Sequence, residues 1–209
     1  MNDLGTFIFI GRSGCGKGTQ AALLSDYLEK NNPADGVFII ETGEELRDFA
    51  EKGGYLPDLV KKVMDGGELL PAFVSVFAWA GQILHNLKEN QHIIMDGAPR
   101  RPEEASIIDS AFKFLGRRNV QVIFLNVSEE WSVARLKERG RGDDLERSDI
   151  KNRMKWLESH VMPTIKKFKE TEGYIVHDIQ GEQTIEEVHK EIISKIPESM
   201  YLSIIDTAF

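Results

Sequence analysis

The chain has 209 residues, 41% of them hydrophobic, and a formal net charge of −8; this fits one α/β domain with small insertions and argues against a nucleic-acid-binding surface. No apolar run approaches the roughly 20 residues of a membrane-spanning helix, and Met1-Asn2-Asp3 is not the basic start of a signal peptide. The single cysteine, Cys15, excludes an internal disulfide and a multi-cysteine zinc site. We therefore expect a cytoplasmic monomer that binds neither nucleic acid nor a membrane.

A strand predicted over residues 6–10 leads into a glycine-rich loop, and a helix predicted over residues 17–31 follows it. In that context the G-x-x-x-x-G-K pattern, which ends at Lys17, predicts a phosphate-binding loop. The glycines let backbone N–H groups point at phosphate oxygens, the helix N-terminus adds partial positive charge, and Lys17 adds a compact cation. The pattern departs from its usual form because Gly18 follows Lys17 and the hydroxyl comes one position later, at Thr19.

Strands and helices alternate along the rest of the chain. Further strands are predicted at 37–40, 92–96, 120–125 and 174–179. Helices are predicted at about 42–52, 57–64, 71–89, 102–115, 128–139 and 148–170, and a last helix begins with a capping box at Thr184. This alternation predicts a parallel sheet with right-handed crossovers and with ligands at the carboxyl ends of its strands.

Local features of these helices are predicted as well. Thr42 is expected to cap the helix that follows the second strand, and Pro163 is expected to kink the helix over 148–170. Glycines flank the two short helices between 42 and 67, which indicates a small mobile flap. The helix over 71–89 is expected to pack through its apolar side, made of Phe73, Val76, Phe77, Ala80, Ile83, Leu84 and Leu87.

An acid and several arginines add to the phosphate-binding loop. Asp96 ends the third strand, where a P-loop enzyme places an acid that holds Mg²⁺ directly or through water. The arginines are Arg47, Arg100, Arg135, Arg139, Arg141, Arg147 and Arg153. Guanidinium groups suit phosphoryl oxygens, and one triphosphate does not need so many, so a second phosphorylated substrate is expected.

Five segments together resemble the adenylate kinase family of nucleoside monophosphate kinases. They are 14–20, 42–43 with 46–47, 67–71, 96–100, and 140–144 with Arg153, in the order and with the spacing of that family. The family also has a glycine directly after the loop lysine, which accounts for Gly18.

The resemblance implies a P-loop three-layer sandwich, with a five-stranded parallel sheet and helices on both faces. A helical monophosphate-binding flap over 42–71 and a short lid over 135–153 would be inserted in it. The implied reaction is reversible transfer of the γ-phosphoryl group of Mg·ATP to a nucleoside monophosphate, with AMP favoured. Mg²⁺ is the implied cofactor, and a lid without cysteines cannot be the zinc-bearing variant.

Site residues follow from the resemblance position by position. For ATP they are Gly14, Cys15, Gly16, Lys17, Gly18, Thr19, Arg135, Arg139 and Gly181. For the monophosphate they are Thr42, Arg47, Glu68, Leu69, Leu70, Gly97, Arg100, Glu104, Arg141 and Arg153. Those that neutralise charge in catalysis are Lys17, Arg100, Arg141 and Arg153. Asp96 would hold Mg²⁺ through water, and Arg147 competes with Arg141 because a one-residue offset in the alignment stays open.

The chain departs from the family pattern at Ser13, Cys15, Ala98 and Glu104. Cys15 stands among cationic groups at a helix N-terminus, so its thiol pKa is expected to be lowered, or else it is a small buried side chain. Glu104 replaces a glutamine that reads adenine, and a carboxylate can only accept hydrogen bonds. It would suit the two N–H donors of guanine, so base specificity is relaxed towards GMP, or the side chain turns away and AMP binds through the backbone.

Residues 1–196 are predicted to form the kinase domain, and residues 197–209 an apolar extension that packs on the core or mediates self-association. Two other functions stay open at this point. One is a P-loop kinase for a small metabolite, which leaves the segments at 42–47 and 67–71 unexplained. The other is a nucleotide-sensing module that binds ATP without transferring its phosphoryl group.

Overall fold

A computed structural model of the chain describes residues 4–140 and 147–200. Its centre is a parallel sheet of five strands in the order β2-β3-β1-β4-β5. The strands are β1 Thr6–Gly11, β2 Gly36–Glu41, β3 Gln91–Asp96, β4 Val120–Asn126 and β5 Tyr174–Gln180. The parallel sheet expected from the alternating pattern is thereby confirmed.

Helices connect the strands and cover the sheet. They are α1 Lys17–Asn31, α2 Thr42–Glu51, α3 Tyr55–Asp65, α4 Ala72–Asn86, α5 Pro102–Phe114, α6 Glu129–Arg139, α7 Arg147–Trp156, α8 Met162–Glu170 and α9 Ile185–Lys195. A π-helical turn, Leu157–Val161, joins α7 to α8. The predicted capping box is confirmed at Thr184, whose hydroxyl accepts the N–H of Glu187 while the Glu187 carboxylate accepts the N–H of Thr184.

Both faces of the sheet are buried, which is why the strands read as continuous apolar runs. On one face, a cluster that includes Trp79, Phe112 and Phe168 joins the sheet to α4, α5 and α8. On the other face, α1 and α9 contribute residues such as Leu24 and Ile192. Helices on both sides of one sheet make the three layers of a sandwich, so the predicted fold class is confirmed.

The order of the strands brings their carboxyl ends to one edge. β1 lies between β3 and β4, and Glu41 at the end of β2 pairs in register with Asp96 at the end of β3. The loop after β1 therefore emerges beside the acid that ends β3. Ligands of open parallel sheets bind at this edge.

Helices α2 and α3 form a small unit with an apolar cluster of its own. Ala50, Val60 and Leu70 are buried there, and Leu46 and Phe49 pack against them. The cluster lies within the segment 42–71 that the sequence predicts as a flap, and it explains how so short a helical pair keeps its shape.

The predicted cap of α2 is wrong. The helix begins at Thr42 itself, and the capping position belongs to Glu41, the last residue of β2. The chain passes from strand to helix without an intervening residue, so no position is left for Thr42 outside the helix. Its hydroxyl oxygen is buried and has no hydrogen-bond partner among the described residues.

The predicted apolar side of α4 is only partly buried. Phe73, Phe77 and Leu84 are 72%, 74% and 80% exposed. The other predicted residues, Val76, Ala80, Ile83 and Leu87, do pack against the core, where Ala78 and Trp79 are the most deeply buried residues of α4 beside Ser75. The sequence carries apolar residues around most of this helix, and the spacing alone did not indicate which stripe meets the core.

The expected interruption near Pro163 takes the form of the π-helical turn that precedes this residue. Proline has no N–H to donate to the carbonyl of Ser159, four residues earlier, and its ring crowds that carbonyl. A wider turn relieves the crowding, and such turns often lie at functional sites. Trp156, the last residue of α7, lines the cleft described below.

Two observations bear on the ends of the chain and on membranes. Within residues 4–140 and 147–200, no helix combines the length and apolarity needed to cross a bilayer.

After α9, a short 3-10 turn places Met200 against the core beside Ile196. Residues 201–209, which complete the predicted extension, lie outside the described part.

The buried imidazole of His92 predicts a pH dependence of stability. Its Nδ1 accepts the backbone N–H of Gly5 at 2.8 Å, and burial, with a smaller effect of Arg117, lowers its pKa while Asp35 opposes the shift. As pH falls, the unfolded chain takes up this proton first, near pH 6.5. The contribution of His92 to stability should therefore be present above that pH and be lost below it.

Urea unfolding at pH 7.5 and 5.5 measures this effect, with His92→Gln as the non-titrating comparison. We expect the free energy of unfolding to fall more between the two pH values in the wild type than in the variant. Equal falls would contradict the role of His92.

Candidate active site

One cleft of about 500 Å³ opens at the carboxyl edge of the sheet, a volume typical of ligand sites. It collects every described residue that the sequence assigned to ATP, monophosphate or metal. These are Gly14, Cys15, Gly16, Lys17, Gly18, Thr19, Thr42, Arg47, Glu68, Leu69, Leu70, Asp96, Gly97, Arg100, Glu104, Arg135, Arg139, Arg153 and Gly181. The predicted Arg141 and the side chain of its competitor Arg147 lie outside the described residues.

Two glycines at the phosphate-binding loop lie close to neighbouring elements. A Cβ on Gly14 would lie 2.9 Å from the carbonyl oxygen of Ser132, and the residue has φ +84°. A Cβ on Gly18 would lie 3.1 Å from Oδ2 of Asp96. The glycine after Lys17 thus lets the start of α1 approach the acid that ends β3.

Lys17 folds over the loop that it follows. Its Nζ donates to the carbonyl oxygens of Arg12 at 2.8 Å and Gly11 at 3.2 Å. These contacts hold the ammonium group over the phosphate-binding loop, a type of loop whose backbone N–H groups can bind an anion.

The thiol of Cys15 differs from the expected low-pKa case. Its side chain is buried, with 5% exposed, and Lys17 Nζ lies 3.6 Å from Sγ. Burial raises the pKa of the Cys15 thiol and outweighs the lowering by Lys17, and Asp96 raises it further. The expectation of a lowered pKa is therefore wrong, and the alternative of a small buried side chain holds, because removal from water disfavours the thiolate.

Acidic groups near the loop fit a magnesium ion. Among the described residues, no group of three or more His, Cys, Asp or Glu side chains could form a metal cage. Mg²⁺ commonly needs only one or two carboxylates beside substrate phosphates and water, and Asp96 lies beside Gly18 at the phosphate-binding loop. Glu41 lines the same cleft, and burial, then Glu44 and Asp96, raises its pKa.

Sequence reasoning overlooked Glu41. It is the last residue of β2, and its position beside Asp96 depends on the pairing of β2 with β3. A strand-terminal acid was a visible signal, but only the strand order shows that the two acids meet.

Arg100 is the centre of the second half of the cleft. Its Nε donates to the carbonyl oxygen of Gly97 at 2.9 Å. Loss of solvent lowers the pKa of the Arg100 guanidinium, Glu104 opposes this, and the positive charges of Arg153 and Arg47 lower it further. The buried hydroxyl of Thr42, which has no hydrogen-bond partner within 4–140 and 147–200, also lines the cleft. Together these groups present an arrangement that an anion would complete.

The Glu104 side chain does not turn away from the cleft. It is 2% exposed, and its Oε2 accepts the hydroxyl of Ser75 at 3.1 Å and the backbone N–H of Arg100 at 3.2 Å. Burial raises the pKa of Glu104, while the N–H and the charge of Arg100, the Ser75 hydroxyl and Arg101 lower it. Ser75 was another residue that the sequence analysis overlooked.

Two side chains from other parts of the chain bind the backbone of residues 66–69, at the end of the predicted flap. The carbonyl oxygen of Gly66 accepts Nδ2 of Asn152 at 3.0 Å, and that of Leu69 accepts Nη2 of Arg101 at 3.4 Å. Glu68 and its neighbours line the cleft, so these bonds fix backbone groups beside it.

Two tryptophans, also overlooked, stand against arginines of the cleft. Trp131 lies under Arg135, with 5.0 Å from the guanidinium carbon to the ring centroid. Trp156 lies 4.9 Å from Arg100 and 5.8 Å from Arg153 by the same measure. The signal in the sequence was helical spacing, since each tryptophan is three or four residues from an arginine on its own helix.

A phosphate-binding loop and a second set of arginines open into the same cleft, an arrangement typical of P-loop phosphotransferases. Comparison with known proteins makes this specific. A family model described as adenylate kinase matches residues 9–173. The chain belongs to the adenylate kinase family, and it is a phosphotransferase of the nucleoside monophosphate kinase type.

Curated relatives agree over most of their length. The "Adenylate kinase" of Leptospira biflexa is 35% identical over 196 residues, which cover 90% of this chain and 98% of the relative. The "Adenylate kinase 1" of Synechocystis sp. is 33% identical over 181 residues, 87% of this chain and 91% of the relative. The "Adenylate kinase" of Campylobacter concisus is 32% identical over 187 residues, 89% and 94% respectively.

The buried thiol gives a prediction about reactivity. Cys15 should react with iodoacetamide at pH 8 roughly 10-fold or more slowly in the native protein than in the urea-unfolded chain, since both burial and the raised pKa oppose the thiolate. Mass spectrometry of quenched samples measures the rate. Native labelling as fast as that of the unfolded chain would show that the thiol is activated instead.

Proposed function

We propose that the enzyme transfers the γ-phosphoryl group of Mg·ATP reversibly to a nucleoside monophosphate, with AMP as the principal acceptor. The observation that carries this proposal is the shared cleft, in which the Lys17 loop and the Arg100 group face one space. The relatives named above are adenylate kinases, which supports AMP as acceptor.

On the donor side, the backbone of 14–19 would wrap the phosphates of ATP and Lys17 would bridge them. Arg135, Arg139 and Gly181 line the cleft, which suits the proposed contacts with the base and phosphates of ATP. Mg²⁺, when bound, neutralises charge on the β- and γ-phosphates. Asp96 would hold it through water, consistent with its place beside the start of α1.

On the acceptor side, Thr42, Arg47 and Arg100 would bind the monophosphate, and the backbone of 68–70 would lie along its nucleoside. Arg153, next to Arg100, would stabilise the transferring phosphoryl group, together with Arg141. No side chain needs to attack phosphorus, because orientation and charge neutralisation suffice for this chemistry.

Transfer to the monophosphate rather than to water requires a closed site. We propose that 42–71 closes over the monophosphate and 135–153 over ATP, within a single kinase domain of residues 1–196. The independent apolar cluster of the flap supports movement as a unit. A monomeric state and a cytoplasmic location remain predictions, as does self-association through 197–209.

Two substitutions test the donor and acceptor halves. In a coupled assay for ADP from ATP and AMP, Lys17→Met should reduce transfer to background. Arg100→Ala should reduce kcat/KM roughly 10³-fold, as expected for an arginine that stabilises phosphoryl transfer. Lys30→Met and Arg118→Ala, both exposed and away from the cleft, serve as matched controls that keep wild-type rates.

Unchanged kcat/KM in Arg100→Ala would show that the monophosphate is placed wrongly. ATP binding without any ADP formation in the wild type would support the nucleotide-sensing alternative instead.

A second candidate acceptor is GMP, and the burial of Glu104 favours it. Its Oε2 already accepts two hydrogen bonds, so the carboxylate is held in the cleft as an acceptor. Guanine offers adjacent N–H donors to such a group, whereas adenine offers one amino group beside a lone pair. A protonated Glu104 would instead resemble glutamine, with a donor and an acceptor, and would suit adenine.

This chemistry predicts the ratio of kcat/KM for AMP to that for GMP. Glu104→Gln should raise the ratio roughly 5- to 10-fold, the value of about one hydrogen bond. Because burial raises the pKa of Glu104, the wild-type ratio should increase as pH falls through that pKa, and the variant should lose this dependence. Steady-state assays at several pH values measure both effects.

Glu103→Gln is the matched control, because Glu103 is the exposed neighbour and pairs only loosely, at 4.0 Å, with Arg101. It should leave the ratio unchanged. A strict AMP preference that Glu104→Gln does not increase would contradict the role of Glu104 in base choice.

A further inference from the structure

Trp156 occupies an unusual place in the cleft. It ends α7, immediately before the π-helical turn, and it is half-buried. Arg153 precedes it by three residues and lies on the same side of the helix. Arg100 approaches the ring from the turn after β3. The indole is thus in contact with one arginine of its own helix and with one from across the cleft.

The positive charges of the two arginines lie close together. Each has little access to water, Arg153 being 6% exposed, and the charge of Arg153 lowers the pKa of Arg100, which the carboxylates of Glu104 and Asp96 oppose. Arg100 makes no ion pair with another described residue, and its single side-chain hydrogen bond goes to the carbonyl oxygen of Gly97.

The carboxylates of Glu104 and Asp96 offset part of this repulsion, but a carboxylate that paired directly with the guanidinium N–H groups would compete with an incoming phosphate for them. The face of an indole attracts a guanidinium through its quadrupole and has no net charge. It can therefore hold a guanidinium group without itself competing with an anion for the N–H groups of the arginine.

We propose that Trp156 is a positioning residue, whose ring holds the guanidinium groups of Arg100 and Arg153 ready for the phosphate of the acceptor and the transferring phosphoryl group. This inference rests on the proposed function for the roles of the two arginines. It adds a residue that touches neither reacting atoms nor base and acts by preorganising charge.

The test compares two replacements. Trp156→Leu keeps an apolar side chain but removes the ring face, whereas Trp156→Phe keeps a ring. A cation–π contact in a partly dry site is worth about 1–2 kcal/mol, so Trp156→Leu should lower kcat/KM for AMP about 5- to 30-fold. Trp156→Phe keeps a ring, so its kcat/KM should stay much closer to that of the wild type. The KM for ATP should stay within about twofold in both variants, since the ring touches no donor-side arginine.

Phe114→Leu is the control for a change from an aromatic residue to leucine, because Phe114 is 88% exposed at the end of α5. It should leave the kinetic constants unchanged. Thermal unfolding of each variant shows whether the substitution destabilises the fold. A folding defect would lower the unfolding temperature of both Trp156→Leu and Trp156→Phe, whereas loss of the ring face affects only the kinetics of Trp156→Leu.

Fluorescence provides a readout that needs no turnover. The chain has 3 tryptophans, so the difference between wild type and Trp156→Phe isolates the emission of Trp156. Addition of inorganic phosphate, and of AMP, should change that difference saturably as the guanidinium groups engage the anion.

Two results would overturn the inference: a folded Trp156→Leu variant with wild-type kcat/KM for AMP, or no phosphate-dependent change in the Trp156 emission. Failure of the proposed function looks different. In that case the wild type would form no ADP, while the phosphate titration would still report on Trp156.

Discussion

Arg100 and Arg153 lie close together in a partly dry cleft, and like charges at short range repel strongly where water cannot screen them. The chain as a whole is acidic, with a formal net charge of −8, so the cleft concentrates positive charge against the balance of the molecule. Such a cluster persists in the folded state only if neighbouring groups hold it. The carbonyl oxygen of Gly97, the carboxylate of Glu104 and the ring of Trp156 do so from different sides.

The sheet determines how these groups meet. The carboxyl ends of β1, β2 and β3 deliver the phosphate-binding loop, Glu41 and Asp96 to one edge. The packing there is close, because a Cβ at position 18 would lie 3.1 Å from the carboxylate of Asp96. The phosphate-binding loop is thus defined by backbone, whereas the group around Arg100 depends on long side chains whose positions come from contacts between elements.

The sequence predicted those parts of the molecule that depend on local pattern. The strand–loop–helix unit around Lys17, the parallel sheet and the capping box at Thr184 all follow from short-range spacing, and the structure has them. The features that the sequence did not predict depend on tertiary contacts. The exposure of Phe73 and Phe77 depends on which side of α4 meets the core, and the raised pKa of Cys15 depends on burial that local charge does not indicate.

The residues of the site divide in the same way. The family motifs predicted which arginines line the cleft. The places of Glu41 and Trp156 depend on tertiary contacts, since β2 must pair with β3 and α7 must face the turn after β3. Glu104 was singled out from the sequence because its side-chain chemistry differs from the amide of the family pattern. The structure adds that Ser75 and the backbone of Arg100 keep it in place.

The central claim is that one cleft holds two nucleotides and passes a phosphoryl group directly between them. Its most direct test follows the label from ATP carrying a radioactive γ-phosphorus in the presence and absence of AMP. The account predicts that the label moves into ADP, that free phosphate remains a small share, and that the movement requires AMP. Release of the label as free phosphate at the same rate with and without AMP would contradict it.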